Sequence, residues 1–335
     1  MDTLCTYFDR AYLPRGLALY DSLVQHWGEF ELYVLCLDDD TERALRQLAL
    51  PRLHIVPLAE LEAADPALAA TRPTRSPIGY YLTCTAVLVR HVLARAADAP
   101  AVFYVDADLC FFSSPAPLLA EFAAGSIYIH AHRPAHPDWG AELGRYNVGL
   151  VAFRRDEQGR ACVELWRERC LAWCELVAEA DRFGDQKYLE EWPGRFDRVV
   201  VATHRGVGVG PWNLGDYRFS ANAHGTVTVD GQSVIFFHFS LLKLAARGIV
   251  STHTHLYVSH LPRLARRALY RPYVRTVVRK ARLAATLGVH LASPFGSVPG
   301  GGASAARRPA WRRGLSLVRG LRAGSLLGVI GQRVL

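Results

Sequence analysis

The chain has 335 residues, half of them hydrophobic, which is enough for one large α/β domain with an appendage. Its net charge of +8 conceals two unlike parts: residues 1–230 carry 22 basic and all 31 acidic side chains, whereas residues 231–335 carry 17 basic side chains and no acidic one. Seven cysteines and an N-terminus without a basic, apolar leader argue against a disulfide-bonded secreted protein and predict a cytoplasmic one with reduced thiols.

Up to about residue 245 the hydrophobic pattern alternates between strands and helices, which predicts a doubly wound α/β sheet. Strands are expected at Leu4–Phe8, Phe30–Leu37, Leu53–Leu58, Ala101–Val105, Ser126–His130 and Asn147–Arg154. Helices are expected at Pro14–Trp27, Ile78–Ala97 and Glu157–Ala180. The run Asp38–Asp40 is interpreted as a helix N-cap, because negative charge is favourable where a helix begins. Three cysteines without the spacing of a zinc site are interpreted as buried free thiols: Cys162, Cys170 and Cys174.

The strand Ala101–Val105 ends in two aspartates, Asp106 and Asp108. Side chains two residues apart in an extended segment point the same way, so both carboxylates can share one divalent cation. Hard oxygen ligands suit Mg²⁺ or Mn²⁺, ions that also bind diphosphates. The alternative for such a short motif is a solvated turn, but the end of a buried strand is where open α/β sheets bind ligands. The pattern therefore predicts a site for a nucleotide diphosphate.

Four further segments have the composition that a sugar-nucleotide site needs, namely Thr6–Asp9, Asn147–Gly149, Gly184–Gln186 and Phe236–Phe239. Within the last, His238 is either a core histidine or a third metal ligand, whose imidazole would bias the site towards Mn²⁺. Lys243 is either a surface lysine or a point charge on the diphosphate. Asp185 either acts in catalysis or caps the helix that follows it.

These residues resemble the GT-A fold nucleotide-sugar glycosyltransferases, and within them the retaining group numbered family 8, over about Leu4–Lys243. The resemblance implies a GT-A doubly wound mixed sheet and a metal-dependent transfer of a sugar to an acceptor hydroxyl. It also implies the following roles: nucleotide binding by Thr6, Tyr7, Asp9 and Tyr12; coordination of Mn²⁺ (or Mg²⁺) and diphosphate by Asp106 and Asp108, with His238 as the last ligand; contact with the donor sugar by Asn147 and Gly149; and a place beside the anomeric carbon for Asp185 and Gln186.

The chain departs from that pattern at the diphosphate. After His238 it lacks the glycine and the Pro-Trp of the family's motif, and Lys243 lies one residue closer. The family carries a basic residue on the helix before the two aspartates, where this chain has Thr83–Thr85, so Arg75 and Arg90 are candidate substitutes.

Two other functions remain as alternatives. A sugar nucleotidyltransferase needs a glycine-rich basic loop after the first strand, and this chain has Asp9–Pro14 there. A catalytically inactive membrane-binding module is the other. The expected acceptor of a transferase is a glycolipid or a cell-surface polysaccharide.

The basic C-terminal part is expected to form three segments: a helical extension over 246–292, a flexible linker over 293–306 and an amphipathic segment over 307–335. Arginines alternate with bulky apolar residues in Leu261–Arg282 and Trp311–Leu335, and neither stretch is apolar enough to span a bilayer. We therefore expect both to lie in the plane of an anionic membrane surface, on its cytoplasmic face. Nucleic acid is the competing partner, and the acidic first part argues against it.

Overall fold

Strands and helices alternate along the first half of the chain in a computed structural model that describes residues 1–135, 142–223, 225–245, 249–258, 260–289, 291, 326–330 and 333–334. The strands are β1 (Asp2–Phe8), β2 (Phe30–Cys36), β3 (Leu53–Pro57), β4 (Ala101–Val105), β5 (Leu109–Phe111), β6 (Ile127–Ala131), β7 (Tyr146–Arg154), β8 (Val199–Val201), β9 (Phe219–Ala221), β10 (Val227–Val229), β11 (Gln232–Ser233), β12 (Phe236–His238), β13 (Lys243–Ala245), β14 (Ile249–Ser251), β15 (Leu326–Ile330) and β16 (Arg333–Val334).

The helices are α1 (Leu13–His26), α2 (Asp39–Leu48), α3 (Leu58–Ala64), α4 (Pro66–Thr71), α5 (Pro77–Arg95), α6 (Ala116–Phe122), α7 (Glu157–Ala172), α8 (Trp192–Arg195), α9 (Arg263–Ala265) and α10 (Arg271–Thr286). Short 3₁₀ turns lie at Arg72–Thr74, Lys187–Glu191, Pro211–Asn213 and Thr254–Leu256. A π-helical turn, Arg266–Tyr270, joins α9 to α10.

The central sheet has seven strands in the order β3-β2-β1-β4-β7-β6-β8. The first four are parallel, and β7 runs antiparallel to both β4 and β6. One apolar cluster joins α1 and α6 to one face of the sheet, and a second joins α5 and α7 to the other. The predicted fold class, a doubly wound mixed α/β sheet followed by a helical appendage, is confirmed.

Strand β4 is buried along its whole length, because β1 and β7 flank it and helices cover both faces. Directly after it the short strand β5 pairs with β12 outside the main sheet, and His238 stands opposite Leu109. The backbone N–H of Phe239 also donates to the carbonyl of Asp108 at 3.0 Å. This pairing carries a segment from the far end of the domain to the end of β4.

Helix α7 ends at Ala172, eight residues before the predicted end at Ala180, because a tertiary contact diverts the chain. Glu175 turns towards the start of α5, where its carboxylate accepts a hydrogen bond from the Ser76 backbone N–H at 2.9 Å. Residues 173–180 contain no glycine or proline that would have predicted the stop. The burial predicted for Cys162, Cys170 and Cys174 is confirmed.

The basic extension packs on the domain instead of presenting an apolar face to a membrane. The apolar residues of its helix are buried against α1 and β12, and they are Leu269, Tyr270, Tyr273, Val274, Val277 and Val278. Tyr273 stacks on Phe239, with ring centroids 3.7 Å apart. The interpretation of these residues as a bilayer-facing surface is therefore wrong.

The end of the chain differs from its prediction too. Leu326–Ile330 is a strand paired with β14, and Leu327 is buried, so this part of the expected amphipathic segment lies within the protein. The predicted linker 293–306 and the first part of the predicted amphipathic segment, residues 307–325, lie outside the described residues. No helix in the described ranges combines the length and the apolar character needed to cross a membrane.

Candidate active site

A cleft with an accessible volume of about 170 Å³ opens at the carboxyl ends of β1 and β4. Its polar lining combines four tyrosines, three carboxylates and one imidazole: Tyr7, Tyr12, Tyr81, Tyr104, Asp9, Asp106, Asp108 and His238. The cleft thus has aromatic surface at one side and a concentration of negative charge at the other.

Asp106, Asp108 and His238 converge at the charged end of the cleft. The His238 Nε2 atom lies 3.1 Å from Asp108 Oδ1 and 3.6 Å from Asp106 Oδ2. One donor atom from each residue lies within 4.8 Å of the other two. Bonds of about 2.1 Å to an octahedral ion place neighbouring ligands about 3 Å apart, so two oxygens and one nitrogen fit Mg²⁺ or Mn²⁺.

Burial and mutual charge set the protonation of these three groups. Burial raises the pKa of Asp106 above its ordinary value, and the positive charge of His238 offsets this only in part. At Asp108 burial acts in the same direction, but His238 outweighs it and the pKa is lowered. Burial lowers the pKa of His238, yet Asp108 more than compensates and the net shift is upwards. The cluster therefore attracts a positive charge.

Two neighbours fix the orientation of these ligands. The Tyr104 hydroxyl donates to Asp106 Oδ1 at 2.7 Å, which leaves Oδ2 on the side of His238. The His238 Nδ1–H donates to Asn147 Oδ1 at 3.2 Å, so Nε2 faces the two aspartates. Hydrogen bonds of this kind hold metal-binding side chains in one orientation.

Gly149 allows the His238 ring to approach β7. A Cβ atom added at residue 149 would lie 2.7 Å from His238 Nδ1 and 2.5 Å from Asn147 Oδ1, closer than real Cβ contacts. The sequence predicted a close approach at this glycine, and in the structure the His238 side chain makes it. The glycine carbonyl also accepts the Asp106 backbone N–H at 2.9 Å, which ties β7 to the two aspartates.

Asp185 lies beneath the cleft and is only 5% exposed. Burial raises its pKa to about 7, the Thr85 hydroxyl lowers it, and the charge of Asp106 raises it further. The Trp166 indole N–H donates to the Asp185 carbonyl at 2.8 Å and holds the backbone. The 3₁₀ turn Lys187–Glu191 begins after Gln186 and has no side-chain cap, so capping does not account for Asp185.

Gln186 is held from both ends of its amide. Its Nε2 donates to the Leu143 carbonyl at 2.9 Å, and its Oε1 accepts from Asn147 Nδ2 at 3.2 Å. One lone pair of Oε1 remains for another donor. Asn147 therefore touches both His238 and Gln186, although its own side chain does not line the cleft.

The predicted nucleotide-binding residues divide into two groups. Tyr7, Asp9 and Tyr12 line the cleft, whereas the Thr6 side chain is buried and is not among the lining residues. Asp9 Oδ1 accepts the Tyr12 backbone N–H at 3.0 Å, and burial raises the pKa of Asp9.

Of the basic side chains predicted for the diphosphate, the two arginines lie elsewhere. Arg75 donates to the Leu171 carbonyl at 2.8 Å and Arg90 to Glu164 at 2.7 Å, so neither substitutes at the cleft. Lys243 begins β13 and is not among the residues that line the cleft.

Sequence reasoning missed two residues around the site. Arg15 is 2% exposed, donates to the Leu242 carbonyl at 3.0 Å, and its charge contributes to the lowered pKa of Asp108. The other is His132, 5% exposed, whose Nε2 accepts from Asn147 Nδ2 at 3.0 Å. An arginine in the first turns of an apolar helix was a weak signal for Arg15, while no pattern in the sequence marks His132.

No protein-family profile matches the chain. The chain is 34% identical over 244 residues to the uncharacterized protein YfnF of Bacillus subtilis (strain 168), an alignment that covers 70% of this chain and 80% of YfnF. The chain belongs to the YfnF family. YfnD of the same organism is 31% identical over 239 residues, covering 70% of this chain and 76% of YfnD.

Solved structures similar to this YfnF-family chain are glycosyltransferases. Mouse xyloside xylosyltransferase 1 covers 72% of this chain and 98% of its own at 14% identity and a TM-score of 0.45. The galactosyltransferase LgtC, solved with donor and acceptor sugar analogs, covers 89% of this chain and 98% of its own at 13% identity and a TM-score of 0.46. GlyE of Streptococcus pneumoniae TIGR4 covers 64% and 48% at 17% identity and a TM-score of 0.40. These values are too low to transfer an activity, so the function is argued from the site.

Proposed function

We propose that this member of the YfnF family is a metal-dependent glycosyltransferase that moves a sugar from a nucleotide-diphosphate sugar to an acceptor hydroxyl. The observation that carries the proposal is the convergence of Asp106, Asp108 and His238 at one end of a tyrosine-lined cleft. A diphosphate needs a divalent cation, and a nucleoside needs aromatic surface and a hydrogen-bond acceptor. The cleft supplies residues suited to both.

The nucleotide-sugar donor would bind to the domain formed by residues 1–245, with its nucleoside near Tyr7, Tyr12 and Asp9. Tyrosine rings offer apolar faces for a base, and the free carboxylate oxygen of Asp9 can accept from ribose hydroxyls. Burial raises the pKa of Tyr7 well above its ordinary value, so its hydroxyl stays a neutral hydrogen-bond donor. Asp106 and Asp108 then face the diphosphate.

The two aspartates and His238 would hold Mn²⁺ (or Mg²⁺), and the imidazole nitrogen favours Mn²⁺. A cation bound there supplies positive charge that stabilises the leaving nucleotide diphosphate. The buried, net acidic cluster described above needs such a charge before it can accept an anionic ligand.

In the transfer, the bond between the anomeric carbon and the diphosphate oxygen breaks, and the diphosphate leaves with the electron pair. The acceptor oxygen bonds to the anomeric carbon, and its proton passes to the departing diphosphate oxygen. We place Gln186 beside the anomeric carbon, where the unused lone pair of Oε1 stabilises developing positive charge. Asp185 is placed to orient sugar hydroxyls, and the expected stereochemical outcome is retention.

A nucleotidyltransferase is the weaker alternative, because the loop after β1 repels a triphosphate. The Arg10 backbone N–H is already bonded to Asp38 Oδ2 at 2.9 Å, and the Arg10 side chain pairs with Asp40 at 3.0 Å. The first N–H groups of this loop are therefore occupied by carboxylates.

We further propose that the acceptor is a glycolipid or a surface polysaccharide, and that the protein associates with an anionic membrane surface from the cytoplasm. With the apolar face of the C-terminal helix buried, this association would depend on its exposed arginines: Arg263, Arg267, Arg275, Arg279 and Arg282. Each can contribute about 1 kcal/mol near an anionic surface.

The proposal is tested by incubating the protein with a panel of nucleotide-sugars and Mn²⁺ and measuring release of nucleotide diphosphate. We expect one donor to be hydrolysed slowly, and Asp108→Asn or excess chelator to reduce the release by about 100-fold or more. Asp39→Asn, which changes an exposed aspartate of α2, is the matched control and should retain full activity. Undiminished turnover of Asp108→Asn would overturn the proposal.

A further inference from the structure

The Asn147 side chain uses every hydrogen bond that it can form. Its Oδ1 accepts from the Gly149 backbone N–H at 2.9 Å and from His238 Nδ1 at 3.2 Å. Its Nδ2 donates to His132 Nε2 at 3.0 Å and to Gln186 Oε1 at 3.2 Å. An amide oxygen has two lone pairs and the amide nitrogen two hydrogens, so the group is saturated. A direct bond from this side chain to a sugar would require one of these four to break.

His132 determines which way this amide points. Its Nδ1 faces the Arg145 carbonyl at 3.3 Å, and a carbonyl can only accept, so the ring proton is on Nδ1. Nε2 consequently carries a lone pair and can only accept from Asn147. Burial lowers the pKa of His132 to about 4, in agreement with a neutral ring.

A reversed amide would fail at three of its four contacts, because only His238, whose ring proton can move to Nε2, could still accept from it. Nδ2 would then face the Gly149 N–H and Nδ1 of His238, and Oδ1 would face two lone pairs, on His132 and on Gln186. With the amide held in its observed orientation, His238 must carry its proton on Nδ1 and present Nε2 to Asp106 and Asp108. The same amide fixes Gln186 on the other side.

We propose that His132 is a positioning residue, which acts through the Asn147 amide to set the ring of His238 for cation binding and the side chain of Gln186 for the donor sugar. The part that concerns Gln186 rests on the proposed function; the part that concerns the cation does not. His132 lies outside the set of residues that line the cleft, so its effect on both is indirect.

The first test measures binding of Mn²⁺ alone by isothermal titration calorimetry. His132→Leu should raise the dissociation constant by about 10- to 100-fold, the usual effect of losing a residue that orients a metal ligand. The matched control is His130→Leu, two residues earlier in β6. His130 is equally buried, and within the described residues neither of its ring nitrogens has a hydrogen-bond partner. Its replacement should change the dissociation constant less than about threefold.

A pair of polar variants separates the hydrogen-bonding role of His132 from its role in packing. The same pair tests the proposal if His132→Leu does not fold. His132→Gln places an amide oxygen near the position of Nε2 and should restore most of the Mn²⁺ affinity. The shorter His132→Asn has no acceptor there and should not. Equal affinity in these two variants, or in His132→Leu and wild type, would overturn the proposal.

A double-mutant cycle tests whether the relay passes through Asn147. Asn147→Leu removes the acceptor for His238, so adding His132→Leu to it should weaken Mn²⁺ binding no further. Additive losses would show that His132 acts by another route.

The outcomes separate this inference from the proposed function. If the calorimetry follows these expectations but wild-type protein hydrolyses no nucleotide-sugar, then the function fails and the positioning role stands. If wild type turns over and His132→Leu binds Mn²⁺ normally, the positioning role alone fails. Asn147→Asp keeps an acceptor for His238 but loses the donor to Gln186, so it should retain Mn²⁺ binding while donor hydrolysis falls by about tenfold.

Discussion

The charged end of the cleft and the C-terminal helix bury opposite kinds of side chain. At the cleft, two partly buried aspartates lie against a buried histidine, and a buried amide has a specific partner for each of its four hydrogen bonds. In α10 the apolar side chains are buried and the arginines stay in water. Substitutions that change a single polar atom should therefore have large effects at the cleft. In α10, substitutions of exposed residues should have little effect on stability, whereas a charge introduced on the buried face should destabilise the protein.

The largest effect should come from placing charge on that inner face. Val277 lies on the inner face of α10 and is fully buried. Val277→Asp should therefore destabilise the protein by more than about 4 kcal/mol, because an unpaired buried carboxylate has no compensating bond. Urea denaturation measures this change in the free energy of unfolding. Arg275→Asp, two residues earlier and exposed, should cost less than about 1 kcal/mol. Equal costs would show that the helix is not docked as described.

The next effect concerns Asp185, where burial of a carboxyl without a cationic partner should destabilise the fold at neutral pH. Its folded pKa of about 7 lies above the ordinary 3.8. Below about pH 3 the group is protonated in both states and contributes nothing. As pH rises to 7 the unfolded chain ionises first, so stability falls, and above 7 the loss is constant at up to about 4 kcal/mol.

Asp185→Asn should therefore be more stable than wild type at pH 8 and equal to it at pH 3, when both are melted in chelator. Asp181→Asn, which alters an exposed carboxylate nearby, should show no such trend. A constant difference in melting temperature across this range would contradict the assigned burial.

A smaller effect is expected at Gly149. In Gly149→Ala the new methyl group displaces His238, so the Mn²⁺ dissociation constant should rise by about tenfold, or about 1.4 kcal/mol. Gly194→Ala is the control, because a Cβ there meets nothing within 4 Å. Unchanged affinity in Gly149→Ala would show that the ring of His238 can shift without loss.

The smallest effect on stability should come from the outer face of α10. Arg275→Gln combined with Arg279→Gln should change the free energy of unfolding by less than about 0.5 kcal/mol, since Arg279 makes only a long contact of 3.5 Å to Asp21. Sedimentation with anionic vesicles then isolates the membrane proposal. A loss of vesicle binding supports it, and full binding by the double variant contradicts it.

The fold and the central part of the site were accessible from the sequence for a physical reason. Asp106 and Asp108 follow a strand that is apolar on both faces, and strand ends in a doubly wound sheet meet at one edge. His238 was harder, because its approach depends on the pairing of β12 with β5. The relay through His132 was not predictable, since hydrogen bonds between side chains leave no periodic pattern in the sequence.

Amphipathic pattern alone also misled the interpretation of the C-terminal part. An apolar face interrupted by arginines looks the same whether it meets a bilayer or α1, and only the tertiary structure shows which surface covers Tyr273 and Val277. The excess length predicted for α7 has a similar origin. Glu175 ends the helix by bonding to Ser76, a residue nearly a hundred positions earlier.

The pairing of β5 with β12 has a consequence for how the molecule assembles. The candidate cation ligands come from two distant parts of the chain, so the site is complete only after this long-range closure, a slow kind of event in folding. A cation that binds only the closed form should stabilise the whole domain by mass action. Because Tyr273 stacks on the residue after His238, the stabilisation should extend to the C-terminal helix. Removing that helix would disturb the ligand set itself, so point substitutions on its outer face, not truncation, are the way to separate surface attachment from cation binding.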